Sequence, residues 1–130
     1  MSDLSTTVRD FAQNTLGCGC PEEVFATVQR ERRSDPRWGD LQRIDIGKRL
    51  LLYLVDLPMP VPGEEELVAL LDRGRRDRDT NGFNRFRLVL FGEMDGKRSG
   101  DLNRLAESRF PGDEKVHLHL LHPSAHPLRP

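Results

Sequence analysis

Two cysteines one residue apart, Cys18 and Cys20, mark the most chemically suggestive stretch of this sequence, Leu16-Gly17-Cys18-Gly19-Cys20-Pro21. A thiolate is both a nucleophile and a soft-metal ligand, so a close pair offers dithiol–disulfide exchange or metal binding. Gly17 and Gly19 free the backbone to take positive φ and to wrap a bound atom or a strained disulfide. Pro21 suits the first position of a helix, which puts Cys20 at its N-cap, beside unpaired N–H groups and the positive dipole end. That setting lowers a thiol pKa, while Glu22 and Glu23 oppose it by like-charge repulsion. A Cys-x-Cys pair is less diagnostic than Cys-x-x-Cys, and no strand precedes it as in thioredoxins. The plain alternative is packing, because a free cysteine fills a tight corner as a small hydrophobe.

His117 and His119 offer the complementary chemistry. Two residues apart on a strand, they leave the same face. With Cys18 and Cys20 they would complete a Cys2His2 set, the usual count for a structural zinc and a usable one for iron. The two pairs are almost a whole chain apart, and their spacing matches no standard finger. The alternation of Cys and His within each motif that marks a Rieske centre is absent. Otherwise the imidazoles form the solvent side of an edge strand.

Two weaker constellations remain. Asp56, Glu93, Asp95 and His122 fall at the expected carboxyl ends of parallel strands, the edge where open α/β sheets bind ligands. Such groups hold divalent cations or do acid–base work, although Gly92-Glu93-Met94-Asp95-Gly96 reads more simply as a turn. Arginines cluster at Arg30, Arg32, Arg33 and Arg37, then at Arg73, Arg75, Arg76, Arg78, Arg85 and Arg87. Converged on one face they would bind an anion or RNA, but interleaved acids and the lack of an aromatic ladder favour a solvated, ion-paired face.

The elements that position these residues follow from periodicity. Leu4, Val8, Phe11, Ala12, Thr15 and Leu16 mark an amphipathic helix, capped at Asp3 or Ser5 and closed by Gly17. A second helix runs from Pro21, with Val24, Phe25 and Val28 as its apolar stripe, until Asp35-Pro36 breaks it. Leu41 to Ile46 alternates as an edge strand, Gly47-Lys48 turns, and the apolar run Arg49 to Leu57 is a strand buried on both faces. Pro58-Met59-Pro60-Val61-Pro62-Gly63 cannot continue a sheet. Glu64 to Arg78 is a helix stopped at Thr80-Asn81-Gly82, Phe86 to Gly92 a second central strand, Asp101 to Arg109 a helix, and Val116 to Leu121 the last strand.

The expected fold is α/β, with α+β as the variant. A four-stranded mixed sheet in element order α-α-β-β-α-β-α-β has helices on both faces. Right-handed crossovers put the two late helices on one face and leave the other to the N-terminal pair. Residues 1–122 read as one domain and 123–130 as an extended, mobile, Pro-rich tail.

The segment Asn14 to Phe25 (NTLGCGCPEEVF) resembles that of a group of small, uncharacterised bacterial proteins carrying a similar N-terminal CGCP segment. NRFRLVLFG and VHLHLL echo it more weakly. The resemblance implies no activity and adds weight only to Cys18 and Cys20.

Composition narrows the classes. Twenty basic residues against 21 acidic ones give no global pull toward nucleic acid or an anionic membrane. No apolar run approaches the roughly 20 residues of a membrane span, and the first residues lack a signal peptide, so the expected compartment is the cytoplasm. A protein partner or homodimer is left open. The leading expectation is a small metal-binding domain, holding zinc or iron on Cys18 and Cys20 with His117 and His119. The enzyme-class rival is a dithiol–disulfide protein with Cys20 attacking and Cys18 resolving. The third class is an interaction module with an arginine-rich anion-binding face.

Overall fold

The computed structural model describes residues 4–17, 22–58, 62–93, 96–110 and 116–127. The chain opens with helix α1 (Leu4–Asp10), which runs straight into a π turn (Phe11–Thr15) closed by the Leu16 N–H donating to the Phe11 carbonyl at 3.0 Å. Gly17 ends it at φ +71°, in the left-handed region expected of a glycine past a helix end. Asp3, one of the two proposed caps, lies outside the described residues.

The second N-terminal helix is not there. A single 3-10 turn (Glu22–Ala26) buries Val24 and Phe25, and strand β1 (Val28–Asp35) follows at once. The reason lies in the residues after Val28. Gln29-Arg30-Glu31-Arg32-Arg33-Ser34 offers nothing apolar at i+3 or i+4, so a helix here would have no face to bury. An edge strand needs none, and these six side chains are exposed. Pairing with β2 (Gly39–Ile46) satisfies the backbone instead, in an antiparallel register from Val28↔Ile46 to Asp35↔Gly39. Asp35 organises the connecting turn, its Oδ1 accepting from the Arg37 and Trp38 N–H groups at 2.8 and 2.9 Å and its Oδ2 from Arg73 at 2.8 Å. Burial works to raise this carboxyl, but those donors and the Arg73 charge outweigh it and hold the pKa below its ordinary value. Asp35→Ala is expected to cost about 1–2 kcal/mol, read as a shift in urea midpoint at unchanged m-value.

The sheet therefore has five strands, not four, in the order β1-β2-β3-β4-β5, with β3 at Leu50–Asp56, β4 at Arg85–Phe91 and β5 at Val116–Leu121. The extra strand takes the edge expected of Leu41–Ile46, which becomes an inner strand. Strands β2 and β3 form the expected hairpin: Gly47 and Lys48 both have positive φ, at 59° and 61°. Gly47 is doubly constrained, because a Cβ there would also strike the Val24 backbone. Strands β3, β4 and β5 run parallel, as the two βαβ units require.

Those crossovers are helices α2 (Glu64–Asn81), ended by Gly82 in the left-handed region, and α3 (Gly96–Arg109), which begins five residues before the expected start at Asp101. Both pack on one face of the sheet, where Leu67, Leu70, Leu71 and Leu102 meet Leu51, Tyr53, Val55, Phe86, Leu88 and Leu90. On the other face Val8, Phe11, Ala12, Leu16, Val24 and Phe25 cover Ile44, Leu50, Leu52, Leu54, Val89 and Phe91. The result is three layers with two cores. The tail does not simply run on extended: Pro123–Ala125 form a 3-10 turn, and His126 stacks on Phe91 with ring centroids 4.4 Å apart. Among the described residues no helix is long and apolar enough to cross a membrane.

Candidate functional site

The register of β5 decides where its histidines go. His117 pairs with Arg87 and His119 with Val89, and Val89 belongs to the core beneath the N-terminal helix. Side chains alternate along a strand, so Arg87, His117 and His119 all address the N-terminal face, while Val116, Leu118 and Leu120 address α2 and α3. Both imidazoles are half-buried rather than on a solvent face.

Arg87 links the two ends of the chain. It sits in the middle of a core strand and is 7% exposed. Its Nη1 donates to the Leu16 carbonyl at 2.7 Å, at the C-terminus of the N-terminal helix, where carbonyls lack intrahelical partners and a cation is favoured. The same nitrogen lies 3.3 Å from His119 Nε2. A guanidinium only donates, so Nε2 is the acceptor and the imidazole is neutral with its proton on Nδ1. The electrostatics agree: burial first, then the charges of Arg87 and His117, push the His119 pKa down to about 4. Burial and the neighbouring Arg85 lower the Arg87 pKa. A guanidinium nevertheless stays charged in proteins, and no Asp or Glu among the described residues pairs with this one. Its Nε is buried without a partner.

Cys18, Gly19, Cys20 and Pro21 lie outside the described residues, as do Asp95 and the tail from residue 128. The described chain stops at Gly17, immediately past the carbonyl that Arg87 holds. The basis for placing Cys20 at a helix N-terminus is lost, because a five-residue 3-10 turn carries little of a helix dipole. Among the described residues no group of three or more His, Cys, Asp or Glu gathers as a metal site.

The carboxyl edge of the parallel strands brings together two of its four expected residues. His122 Nε2 lies 3.4 Å from Glu93 Oε1, and its Nδ1 accepts from the Ser124 N–H at 3.1 Å. They border a cleft of about 240 Å³ with Gly92, Ser99, Leu120 and Leu121. Both side chains are more than half exposed, so this is an open hydrogen-bonded turn rather than a built site.

The arginines mostly do what interleaved acids predict. Arg43 pairs with Asp77, Arg73 with Asp35, Arg75 and Arg76 with Asp72, and Arg109 with Glu65. Two of the clustered arginines are buried where a solvated face was expected: Arg78, which pairs with Asp79, and Arg87, which pairs with no Asp or Glu among the described residues. The signal for Arg87 was present in the sequence: a lone charge inside the run Phe86-Arg87-Leu88-Val89-Leu90-Phe91 must find a partner when both faces are covered. Comparison with protein-family models, curated proteins and solved structures returns no match. The functional reading therefore rests on the chain's own geometry.

Proposed function

We propose that this protein is a small dithiol–disulfide protein whose working groups are Cys18 and Cys20, in the segment that leaves the N-terminal helix after Gly17. The observation that carries the reading is the contact series Leu16 carbonyl–Arg87–His119, which joins the start of the Cys-Gly-Cys segment to the histidine strand. Cys18 follows Leu16 by two residues, a covalent reach of about 7 Å. A cation near a thiol favours thiolate over thiol.

The step balances on the thiols and a disulfide substrate. The Cys20 thiolate attacks one sulfur of a substrate disulfide, forming a mixed disulfide and expelling a thiolate that takes up a proton. The Cys18 thiolate then attacks the Cys20 sulfur, breaking the mixed bond and releasing the second substrate thiol. The substrate gains two electrons, and the protein is left with a Cys18–Cys20 disulfide. In a reducing cytoplasm, the compartment we infer, the resting state is the dithiol.

A second reading, zinc or iron held by Cys18, Cys20, His117 and His119, is supported by the common face of the two imidazoles and by the neutrality of His119. It is the weaker one. The lone pair that His119 Nε2 would give a metal already accepts from Arg87, and a buried guanidinium at 3.3 Å disfavours a dication.

The test is a single turnover of the reduced, desalted protein with oxidised glutathione and no added reductant, read as glutathione released. Cys20→Ser is expected to abolish reduction, and Cys18→Ser to trap a glutathione adduct on Cys20, visible as a mass increase of about 305 Da. Equal activity in wild type and both variants contradicts the reading. Stoichiometric zinc or iron that leaves with either substitution establishes the metal site instead.

A further inference from the structure

The sheet has two edges, and β1 forms one of them along its whole length of eight residues. Among the described residues no strand pairs with its outer side, so every second residue directs an N–H and a C=O away from β2. Such an edge is a template for one more strand. The side chains from Gln29 to Ser34 are all exposed, and the approach to this edge is open among the described residues.

Register sorts the charges of β1 by face. Val28 packs against the N-terminal core and Arg30 pairs with Ile44 of that core, so alternation puts Arg30 and Arg32 on the N-terminal face. Glu31 and Arg33 take the opposite face, where they pair with each other. The two arginines have no such compensation: among the described residues neither meets an Asp or Glu. Arg30 is nevertheless held in place, its Nε donating at 2.7 Å to Oε1 of Gln42, which is itself buried. Its two terminal nitrogens are left as a fork for a carboxylate.

We propose that the β1 edge docks an extended acidic peptide, which adds a strand beside β1 and sets carboxylates at alternate positions against Arg30 and Arg32. The spacing fits, because residues two apart on any strand are separated by about 6.5–7 Å. A second copy of the chain does not fit this edge. Antiparallel pairing about a twofold axis keeps each face, so the axis must pass through a residue position. Centred on Arg30, Glu31, Arg32 or Arg33, every such register opposes one arginine to another. Nucleic acid fits less well than a peptide, since β1 carries no aromatic side chain for a base to stack on and the free strand edge would go unmatched. Neither arginine has a part in the thiol chemistry.

The probe is a fluorescein-labelled peptide of about eight residues, alternating glutamate and valine, titrated into the full chain and read by fluorescence anisotropy. Its control has lysine in place of glutamate and is expected to bind at least about tenfold more weakly. Arg30→Gln and Arg32→Gln should each weaken binding of the acidic peptide about fivefold. Both positions are exposed, so the variants should melt within about 3 °C of wild type. N-methylation of either the glutamates or the valines separates backbone from charge. One of those sets faces β1, and methylating it should abolish binding while the other is tolerated. No binding of the acidic peptide, equal affinity for the lysine control, full binding by both arginine variants, or full binding by both methylated peptides overturns the proposal. So does oligouridylate that binds more tightly through the same arginines, which assigns the edge to nucleic acid. A dimer whose β1 amides resist exchange without peptide assigns it to a second copy and overturns the proposal equally.

Discussion

Gly74→Ala is expected to destabilise the protein by about 3 kcal/mol, a fall in melting temperature of roughly 10 °C, although alanine is the better helix former. At an exposed site the exchange would gain up to about 1 kcal/mol. Here the absence of a side chain is what lets α2 approach β4, because a Cβ built on Gly74 would come within 2.0 Å of Phe86 Cζ. The ring cannot retreat. Phe86 is fully buried and meets Tyr53 edge-on, with centroids 4.9 Å apart and planes at 76°. Either the helix lifts, opening the core around Leu70 and Leu71, or two aromatic rings leave their rotamers. Differential scanning calorimetry reads the size of the effect, and Gly74→Ala with Phe86→Leu should recover part of it. A variant as stable as wild type would contradict the packing described for α2.

The second large effect centres on Asp77, also on α2, which ties that helix to the sheet. Its carboxylate receives both arms of Arg43 at 2.7 and 2.8 Å, the Tyr53 hydroxyl at 2.6 Å and the Asn81 amide at 2.7 Å. Burial acts to raise its pKa, but these donors and the Arg43 charge outweigh burial and bring it to about 2. Tyr53, desolvated and bound to a carboxylate, is pushed well above the ordinary phenol value. Asp77→Asn leaves the Arg43 guanidinium half-buried without a counter-charge, and is expected to cost about 3 kcal/mol at pH 7.

The sign of the pH dependence follows from the depressed pKa. The unfolded state binds the proton first, so the contribution is complete above about pH 4 and is lost as pH falls toward 2, a change of about 2 kcal/mol. Urea unfolding at pH 7, 4 and 2.5 checks both parts. Wild type should lose just over half of this increment, about 1.3 kcal/mol, between the last two, and Asp77→Asn should not. Parallel slopes for the two proteins would show that Asp77 is not what titrates.

Gly74, Phe86, Tyr53 and Asp77 also show how much of the fold could be read in advance. Long periodic or continuously apolar segments announced themselves. Leu67, Leu70, Leu71 and Gly74 gave α2, and the runs RLLLYLVDL and FRLVLFG gave the central strands with their parallel relation. The late helices share a face and the N-terminal helix takes the other, as handedness requires. Strand β1 was hidden because it buries almost nothing. Its exposed arginines carry no period, and only the pairing partner β2 makes it a strand. The same blindness applied to the polar first turn of α3.

At the site, the strand alternation placed His117 and His119 on one face, and the register later put that face under the N-terminal helix. Arg87 does not stand out among the neighbouring arginines; only the apolar strand that holds it sets it apart. A charged residue means different things in Arg73-Gly74-Arg75-Arg76, one turn of an amphipathic helix, and in Phe86-Arg87-Leu88, a strand covered on both sides. In the first, solvent and nearby acids absorb the charge. In the second, only a specific partner can.

The most direct test of the central claim is a count of thiols and metal on the same sample. Tag-free protein, purified without chelator, is assayed for zinc and iron. It is then fully reduced, desalted and titrated with Ellman's reagent before and after exposure to oxidised dithiothreitol. The dithiol account predicts no stoichiometric metal, two thiols before oxidation and none after, with a mass about 2 Da lower that reduction restores. One zinc or iron per chain, retained through desalting and shielding both thiols from oxidation, would contradict it.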